Sequence, residues 1–222
     1  MKKIGILFES RQQLIRYVQY IHGSVSERES MDFPFYNYEN VFCCVASSGS
    51  YVASAIEEYT VAGVECFVRI GTCGSIQPSV KIGDIVIPNS AIRGDEVSNY
   101  YLPFDYPAVC NENCYFVASM LSRVGECHIG NVYSAAARFR QDIEKLKRFA
   151  ELGTLGIDME TAAFLSVSIA KKAKCIALLF VTDELLSNEK GITSSLILQR
   201  DVFPKMWKAI RLLTCDPEKW IR

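Results

Sequence analysis

Three groups of polar residues follow apolar stretches of strand length, and each group has side chains that could do chemistry. The first group, Arg69-Ile70-Gly71-Thr72-Cys73-Gly74, combines a cation, a hydroxyl and two glycines three residues apart. This glycine spacing permits a tight turn with converging backbone N–H groups, and an arginine can bind a phosphate or carboxylate in bidentate fashion. We therefore predict an anion-binding turn. The alternative is a plain strand-to-loop turn with Arg69 in a surface ion pair.

The second group places two carboxylates around a methionine, at the predicted start of a helix, in Gly156-Ile157-Asp158-Met159-Glu160. If the backbone is irregular here, Glu160 can point into a cleft and accept hydrogen bonds from a diol, while Met159 lies under a sugar or base. The alternative is structural, with Asp158 as an N-cap, Glu160 favoured by the helix dipole and Met159 in the core.

The third group follows the apolar run 174–181 and contains Asp183. In open α/β sheets, ligands bind outside the carboxyl ends of the strands, which places Asp183 at the ligand edge. A carboxyl group there could act as an acid toward a leaving-group nitrogen. The alternative is that Asp183 only caps the segment that follows it.

The apolar pattern around these groups alternates between strands and helices, which predicts a single α/β domain over residues 1–222. We expect a central mixed sheet with helices on both faces, and loops at 23–30 and 94–107. The predicted strands are 3–8, 33–38, 41–46, 66–70, 84–88, 127–133 and 174–181. The predicted helices are 10–21, 51–61, 111–124, 141–152, 158–172 and 194–213, the last kinked or broken at Pro204.

Composition argues against several classes of function. The formal net charge of −1 gives no reason to expect a nucleic-acid or membrane partner. The nine cysteines include no CxxC pair and the two histidines have no ligand-like spacing, so we expect no metal site and reduced thiols. The apolar run near the amino terminus is too short for a signal peptide, so a cytoplasmic location is expected.

Several blocks of the sequence together resemble the purine nucleoside and uridine phosphorylase family. They are 68–78, 80–88, 130–134, 156–163 and 181–183. The resemblance implies a twisted sheet partly closed into a barrel and surrounded by helices. It also implies a homo-oligomer, either a dimer or a hexamer built as a trimer of dimers. The implied reaction cleaves a nucleoside with inorganic phosphate as co-substrate and needs no cofactor.

The resemblance also implies roles for residues that match the family's phosphate site. Phosphate would be bound by Arg69, Thr72 and the N–H groups around Gly71. Arg28 would contribute to the phosphate site of a neighbouring subunit. The family's glycine and arginine after the first strand are replaced by Glu9 and Gln13. Glu9 would repel phosphate unless it points away.

On the nucleoside side, the resemblance implies that Met159 and Glu160 hold the ribose, Glu160 through the 2′- and 3′-hydroxyls, with Asp158 beside them. Phe139 would line the base pocket. Asp183 falls where purine-cleaving members keep an aspartate that protonates N7, which favours purines over uridine. Three alternatives remain open: a uridine phosphorylase, a nucleoside hydrolase that uses water, and a non-catalytic protein that binds or stores nucleosides.

Overall fold

The structure, a computed structural model, describes residues 2–20, 26–29, 34–38, 40–187 and 202–215, where strands and helices alternate. The strands are β1 Ile4–Phe8, β2 Ser26–Glu29, β3 Pro34–Tyr38, β4 Val41–Val45, β5 Cys66–Ser75, β6 Ile85–Gly94, β7 Ala108–Val109, β8 Cys127–Ala135, β9 Gly156–Asp158 and β10 Lys174–Glu184. The α-helices are α1 Arg11–Tyr20, α2 Gly49–Val61, α3 Ser98–Tyr101, α4 Cys114–Leu121, α5 Ile143–Glu151, α6 Thr161–Ala170 and α7 Phe203–Cys215, and a 3₁₀ turn spans Arg138–Arg140.

Five of the strands close into a barrel. The pairing order runs β10-β6-β8-β9-β5, and β5 also pairs with β10. The strands β1, β4, β3 and β2 extend the sheet outward from β5 in that order. Parallel and antiparallel pairs are mixed, with β1, β5 and β10 parallel to one another and β9 antiparallel to β5. The predicted α/β fold with a mixed, partly closed sheet is confirmed.

The core lies on both faces of the sheet because its central strands are apolar on both sides. Residues 175–181 of β10 are fully buried, as expected of a parallel strand covered from two directions. One face packs against α2 and α6, with Ile56 and Phe164 among the contacts, and the other packs against α1, α4 and α7, with Val117 and Met206. This packing holds the carboxyl ends of β1, β5 and β10 side by side.

The predicted glycine turn at 71–74 is wrong, because β5 continues as a strand through Ser75. Its neighbour β10 runs beside it to Glu184, with a register shift between Val181 and Asp183. The backbone N–H groups of this segment are therefore arranged along a ladder and do not converge in a turn. The glycines are needed for close approach, since a Cβ on Gly71 would lie 2.8 Å from Arg69 Nη2.

Other boundaries also differ from the sequence-based prediction. The predicted loop 23–30 contains β2, a polar strand that pairs with β3, and the predicted loop 94–107 contains α3. The helix expected from 158 begins at Thr161, because residues up to Asp158 form β9.

Pro204 lies in the first turn of α7, where the missing N–H has no helical partner to lose. Residues 194–201 of that predicted helix are outside the described residues. No helix in the described part of the chain is long and apolar enough to cross a membrane.

Candidate active site

A fully buried arginine lies at the centre of the candidate site. Arg69 projects from β5, and its Nη2 donates a hydrogen bond to Glu160 Oε2 at 2.5 Å, while Asp158 Oδ2 lies 3.8 Å away. Arg69 Nε and Nη1 are buried and find no hydrogen-bond acceptor among the described residues. Buried N–H groups are rarely left unsatisfied in native proteins. Two donors of a buried cation are therefore available to an anionic or hydroxylated ligand.

Asp158 fixes the backbone that carries Glu160. One carboxylate oxygen accepts from Ser134 Oγ at 2.6 Å, and the other accepts from Thr161 N at 2.9 Å and Thr161 Oγ1 at 2.5 Å. The same oxygen accepts from Glu160 N at 3.3 Å. Asp158 thus ties the end of β8 to the first turn of α6, so the geometry gives it a positioning role. Met159, between the two carboxylates, is half-buried.

The Glu160 carboxyl group is buried next to charges of both signs. Its pKa is raised to about 7, mainly by burial and also by the negative charges of Asp158 and Glu9, although Arg69 lowers it. The 2.5 Å ion pair and the raised pKa are consistent with each other, because one guanidinium cannot fully offset desolvation beside two more carboxylates. Near neutral pH, small changes in its surroundings therefore decide whether Glu160 is ionised.

Glu9 occupies the donors of Thr72. The Thr72 backbone N–H donates to Glu9 Oε2 at 2.6 Å, and Thr72 Oγ1 lies 2.9 and 3.0 Å from the two carboxylate oxygens. The turn after β1 is held by Gln13, whose Oε1 accepts from Glu9 N at 3.1 Å and from Ser10 N at 3.4 Å. The amide of Gln13 is therefore engaged in its own turn, and Glu9 points toward the site.

Asp183 lies at the carboxyl end of β10 in the same cluster. Its Oδ2 accepts from Thr182 Oγ1 at 2.9 Å, and its backbone pairs with Gly74. Burial and the negative charges of Asp158, Glu9 and Asp183 together raise the pKa of the Cys73 thiol well above its usual range. Gly74 of β5 pairs with Asp183 on one side and with Ile157 of β9 on the other, so the three predicted polar groups lie on adjacent strands.

Two predicted residues are placed differently. Phe139 lies in the 3₁₀ turn with its side chain 91% exposed, and the guanidinium of Arg138 is 5.7 Å from its ring centroid. Its contact with a base stays a prediction. Arg28 belongs to β2, opposite Phe35 of β3, and its side chain is outside the described residues.

Cavity size does not locate the site. A cavity of about 390 Å³ lies at the amino ends of the strands, among Lys2, Glu65 and the segment 171–174, away from the carboxylate cluster. A smaller cavity of about 200 Å³ adjoins the carboxyl ends of β6 and β8, next to Gly94, Tyr133 and Arg140. We assign the site from its donors and charges, because the chemistry is concentrated at the carboxyl ends.

A family model described as the phosphorylase superfamily matches residues 3–201, most of the chain. The chain belongs to this superfamily. It is similar to a guanosine phosphorylase of Halorubrum lacusprofundi, with 28% identity over 182 residues that cover 79% of this chain and 76% of the relative. Two DeoD-type purine nucleoside phosphorylases, from Bacillus cereus (29% identical) and Vibrio cholerae (31%), each align over 149 residues, 66% of this chain and 62% of the relative. The alignments thus span less than two thirds of these DeoD-type proteins.

Two contacts in the site are not predicted by the sequence patterns. Ser134 holds Asp158, although the block 130–134 pointed only to the family and gave this serine no role. The bond between Glu9 and Thr72 joins residues 63 positions apart. The sequence shows that Glu9 departs from the family pattern, but it does not show that Thr72 is its partner.

Proposed function

We propose that this protein cleaves the N-glycosidic bond of a purine ribonucleoside with inorganic phosphate, releasing the free base and ribose 1-phosphate. The observation that carries the proposal is the buried Arg69–Glu160 pair, with Asp183 in the same carboxylate cluster. Arg69 retains two buried nitrogen donors, Nε and Nη1, for an anion, and Glu160 can accept from a ribose diol. The names of the similar guanosine and purine nucleoside phosphorylases support the same reaction.

The chemistry follows from where these groups lie. As the bond between C1′ and the purine nitrogen lengthens, the ribose takes on positive charge, and a phosphate oxygen forms the new bond to C1′. Negative charge near C1′ stabilises that developing cation. Asp183 supplies a proton to N7, so the electron pair of the broken bond leaves with a neutral base; such proton transfer contributes about 10²–10⁴ in rate. Protonation at N7 is available only to a purine, which is why we propose a purine over uridine.

A nucleoside hydrolase is the second candidate, and one observation favours it. The carboxylate of Glu9 is bonded to both donors of Thr72, the residue assigned to phosphate. A site that holds this carboxylate in place of phosphate could use water as the nucleophile. A protein that only binds nucleosides is less well supported, because binding alone does not require an acid at Asp183.

We further propose that the protein works as a homo-oligomer in the cytoplasm. Three large aromatic residues in the segments that follow β6 and β8 are each about 90% exposed, which supports contact with another subunit; they are Tyr100, Phe104 and Phe139. An arginine from a neighbouring subunit, at Arg28, would then complete the phosphate site. Inorganic phosphate is the proposed co-substrate, and the mechanism uses no cofactor.

The test is to incubate the protein with inosine, guanosine, adenosine and uridine, with and without phosphate, and to detect the base and ribose 1-phosphate. Phosphate-dependent release from the purine nucleosides is the expected result. Equal release without phosphate, giving free ribose, would refute phosphorolysis and establish the hydrolase.

The role of Asp183 is tested in the same assay. We expect Asp183→Asn to lower kcat for purine nucleosides about 10²-fold or more, because the amide cannot supply the proton. Phosphate binding should be unchanged. The control Glu126→Gln removes one exposed carboxylate at the amino end of β8 and should leave turnover as it is. Normal turnover by Asp183→Asn would contradict the assigned role.

A further inference from the structure

We infer that Glu9 is a built-in competitor of phosphate: its carboxylate occupies the anion-binding donors of Thr72, and phosphate binds only when Glu9 leaves them. The inference rests on the proposed function, because it concerns the phosphate site of that reaction. It goes further by assigning a role to a residue that departs from the family pattern. Glu9 then sets how much phosphate the protein needs before it turns over.

The position of Glu9 in the strand ladder explains how the carboxylate reaches these donors. Strands β1 and β5 are parallel, and the last backbone bond between them runs from Glu9 N to the Ile70 carbonyl at 3.1 Å. Bonds in a parallel ladder are evenly spaced, so Thr72 N is the next donor along β5. That N–H donates to the Glu9 side chain at 2.6 Å. The carboxylate therefore takes the first ladder donor beyond the end of β1.

This donor set is one that an oxyanion would use. The backbone N–H and the hydroxyl of Thr72 both point to the same carboxylate. The guanidinium of Arg69 lies against Gly71, the residue before Thr72 on β5, and its Nε and Nη1 are buried without an acceptor among the described residues. A carboxylate fills only the Thr72 part of this set. A phosphate that bonds to the Thr72 donors and also to Arg69, three residues earlier on the same strand, would satisfy more donors than Glu9 does, which would favour displacement of Glu9.

The negative charges around the site also favour displacement of Glu9 when phosphate enters. Glu9, Asp158 and Asp183 all act on Cys73, and Glu9 and Asp158 also act on Glu160, with Arg69 as the cation among them. Phosphate entering beside a resident Glu9 would add its charge to four carboxylates. If Glu9 turns out to solvent as phosphate enters, one negative charge leaves the cluster as phosphate brings its own, and the repulsion is smaller.

The movement required is local. Glu9 is half-buried, whereas Arg69 is fully buried, so the carboxylate has access to solvent. Its backbone is held by the Ile70 carbonyl and by Gln13 Oε1. Rotation of the side chain alone releases Thr72, and no strand has to shift.

The experiment compares phosphate binding by the wild type, Glu9→Ala, Glu9→Gln and the surface control Glu126→Gln. Isothermal titration calorimetry with inorganic phosphate, without nucleoside, measures binding independently of turnover, and KM for phosphate is measured alongside. We expect Glu9→Ala to bind phosphate about tenfold more tightly or better, since the competing carboxylate is gone. Glu9→Gln loses the charge but retains an acceptor for Thr72, so its gain should be smaller, about threefold.

Unchanged phosphate affinity in a folded Glu9→Ala variant would overturn the inference. If that variant does not fold, Glu9→Gln decides: tighter binding supports competition, and wild-type affinity overturns it. Failure of the proposed function looks different. A wild type that hydrolyses nucleosides without phosphate, combined with a Glu9→Ala variant that binds phosphate and yields ribose 1-phosphate, would refute phosphorolysis by the wild type and support the role of Glu9.

Discussion

Replacing Arg69 by methionine tests whether the buried guanidinium compensates the carboxylates around it. Methionine is long and unbranched, so it fills much of the same space without the charge. Glu160 would lose its 2.5 Å partner, and Asp158 would lose a cation at 3.8 Å. Breaking a buried pair by removing one partner costs about 3–5 kcal/mol, because the other charge is left uncompensated. In a chain of 222 residues, this lowers the Tm by roughly 10 °C.

The pH dependence of the stability loss distinguishes loss of the Arg69 charge from a simple loss of packing. The pKa of Glu160 is raised to about 7, mainly by burial, even though Arg69 lowers it, so removing Arg69 must raise it further. A folded-state pKa above the unfolded value means that the native state binds the proton more tightly, so stability is lost as pH rises. Below about pH 7, Glu160 is protonated in both proteins, so it contributes nothing to the difference in the free energy of unfolding between the wild type and Arg69→Met. Above that, the difference grows by about 1.4 kcal/mol per pH unit until the pKa of the variant is reached.

The assay is urea unfolding of the wild type and Arg69→Met at about pH 6 and about pH 8.5, followed by tryptophan fluorescence and circular dichroism. The free energy of unfolding should differ more at the higher pH. The control Lys147→Met removes a cation from the exposed pair with Glu144 and should change nothing measurable. The double variant Arg69→Met/Glu160→Gln should recover part of the loss at high pH. If Arg69→Met loses the same free energy of unfolding at both pH values, or more at the lower pH, the reasoning is refuted.

Two further predictions follow from the geometry. In the proposed mechanism the ionised Glu160 accepts hydrogen bonds from the ribose hydroxyls, so the acid limb of kcat/KM for the nucleoside should rise with pH through about 7. Glu160→Gln should lower kcat/KM about 10²-fold and remove that limb. If the limb persists in this variant, another group is responsible for it. Gly94→Ala should destabilise the fold by about 1–3 kcal/mol, since its Cβ would lie 2.2 Å from the Tyr133 ring. Gly125→Ala is the matched control in thermal unfolding, because its Cβ would meet only the Lys205 side chain, at 3.3 Å. Equal melting temperatures for the two variants would contradict the packing argument.

Local patterns in the sequence determined the fold class and most of the elements. The apolar run before Asp183 is buried from both sides, so its composition alone predicts a central strand. Alternating strands and helices predict helices on both faces of the sheet. The position of Asp183 beside Gly74, at the end of the neighbouring strand, was likewise predictable, because the carboxyl ends of such strands meet at one edge.

The tertiary structure alone decided how these side chains are paired. Gly71–Gly74 looks like a turn in isolation, but β10 continues beside it and supplies the hydrogen bonds of a strand. No local pattern shows that the carboxylate of Glu9 reaches the N–H of Thr72, since that bond depends on β1 ending where β5 continues. Burial likewise raises the pKa of Glu160, and it exists only after α6 and the barrel have packed. Sequence periodicity reports which residues are apolar, whereas the partners of a buried charge depend on long-range contacts that only the folded chain brings together.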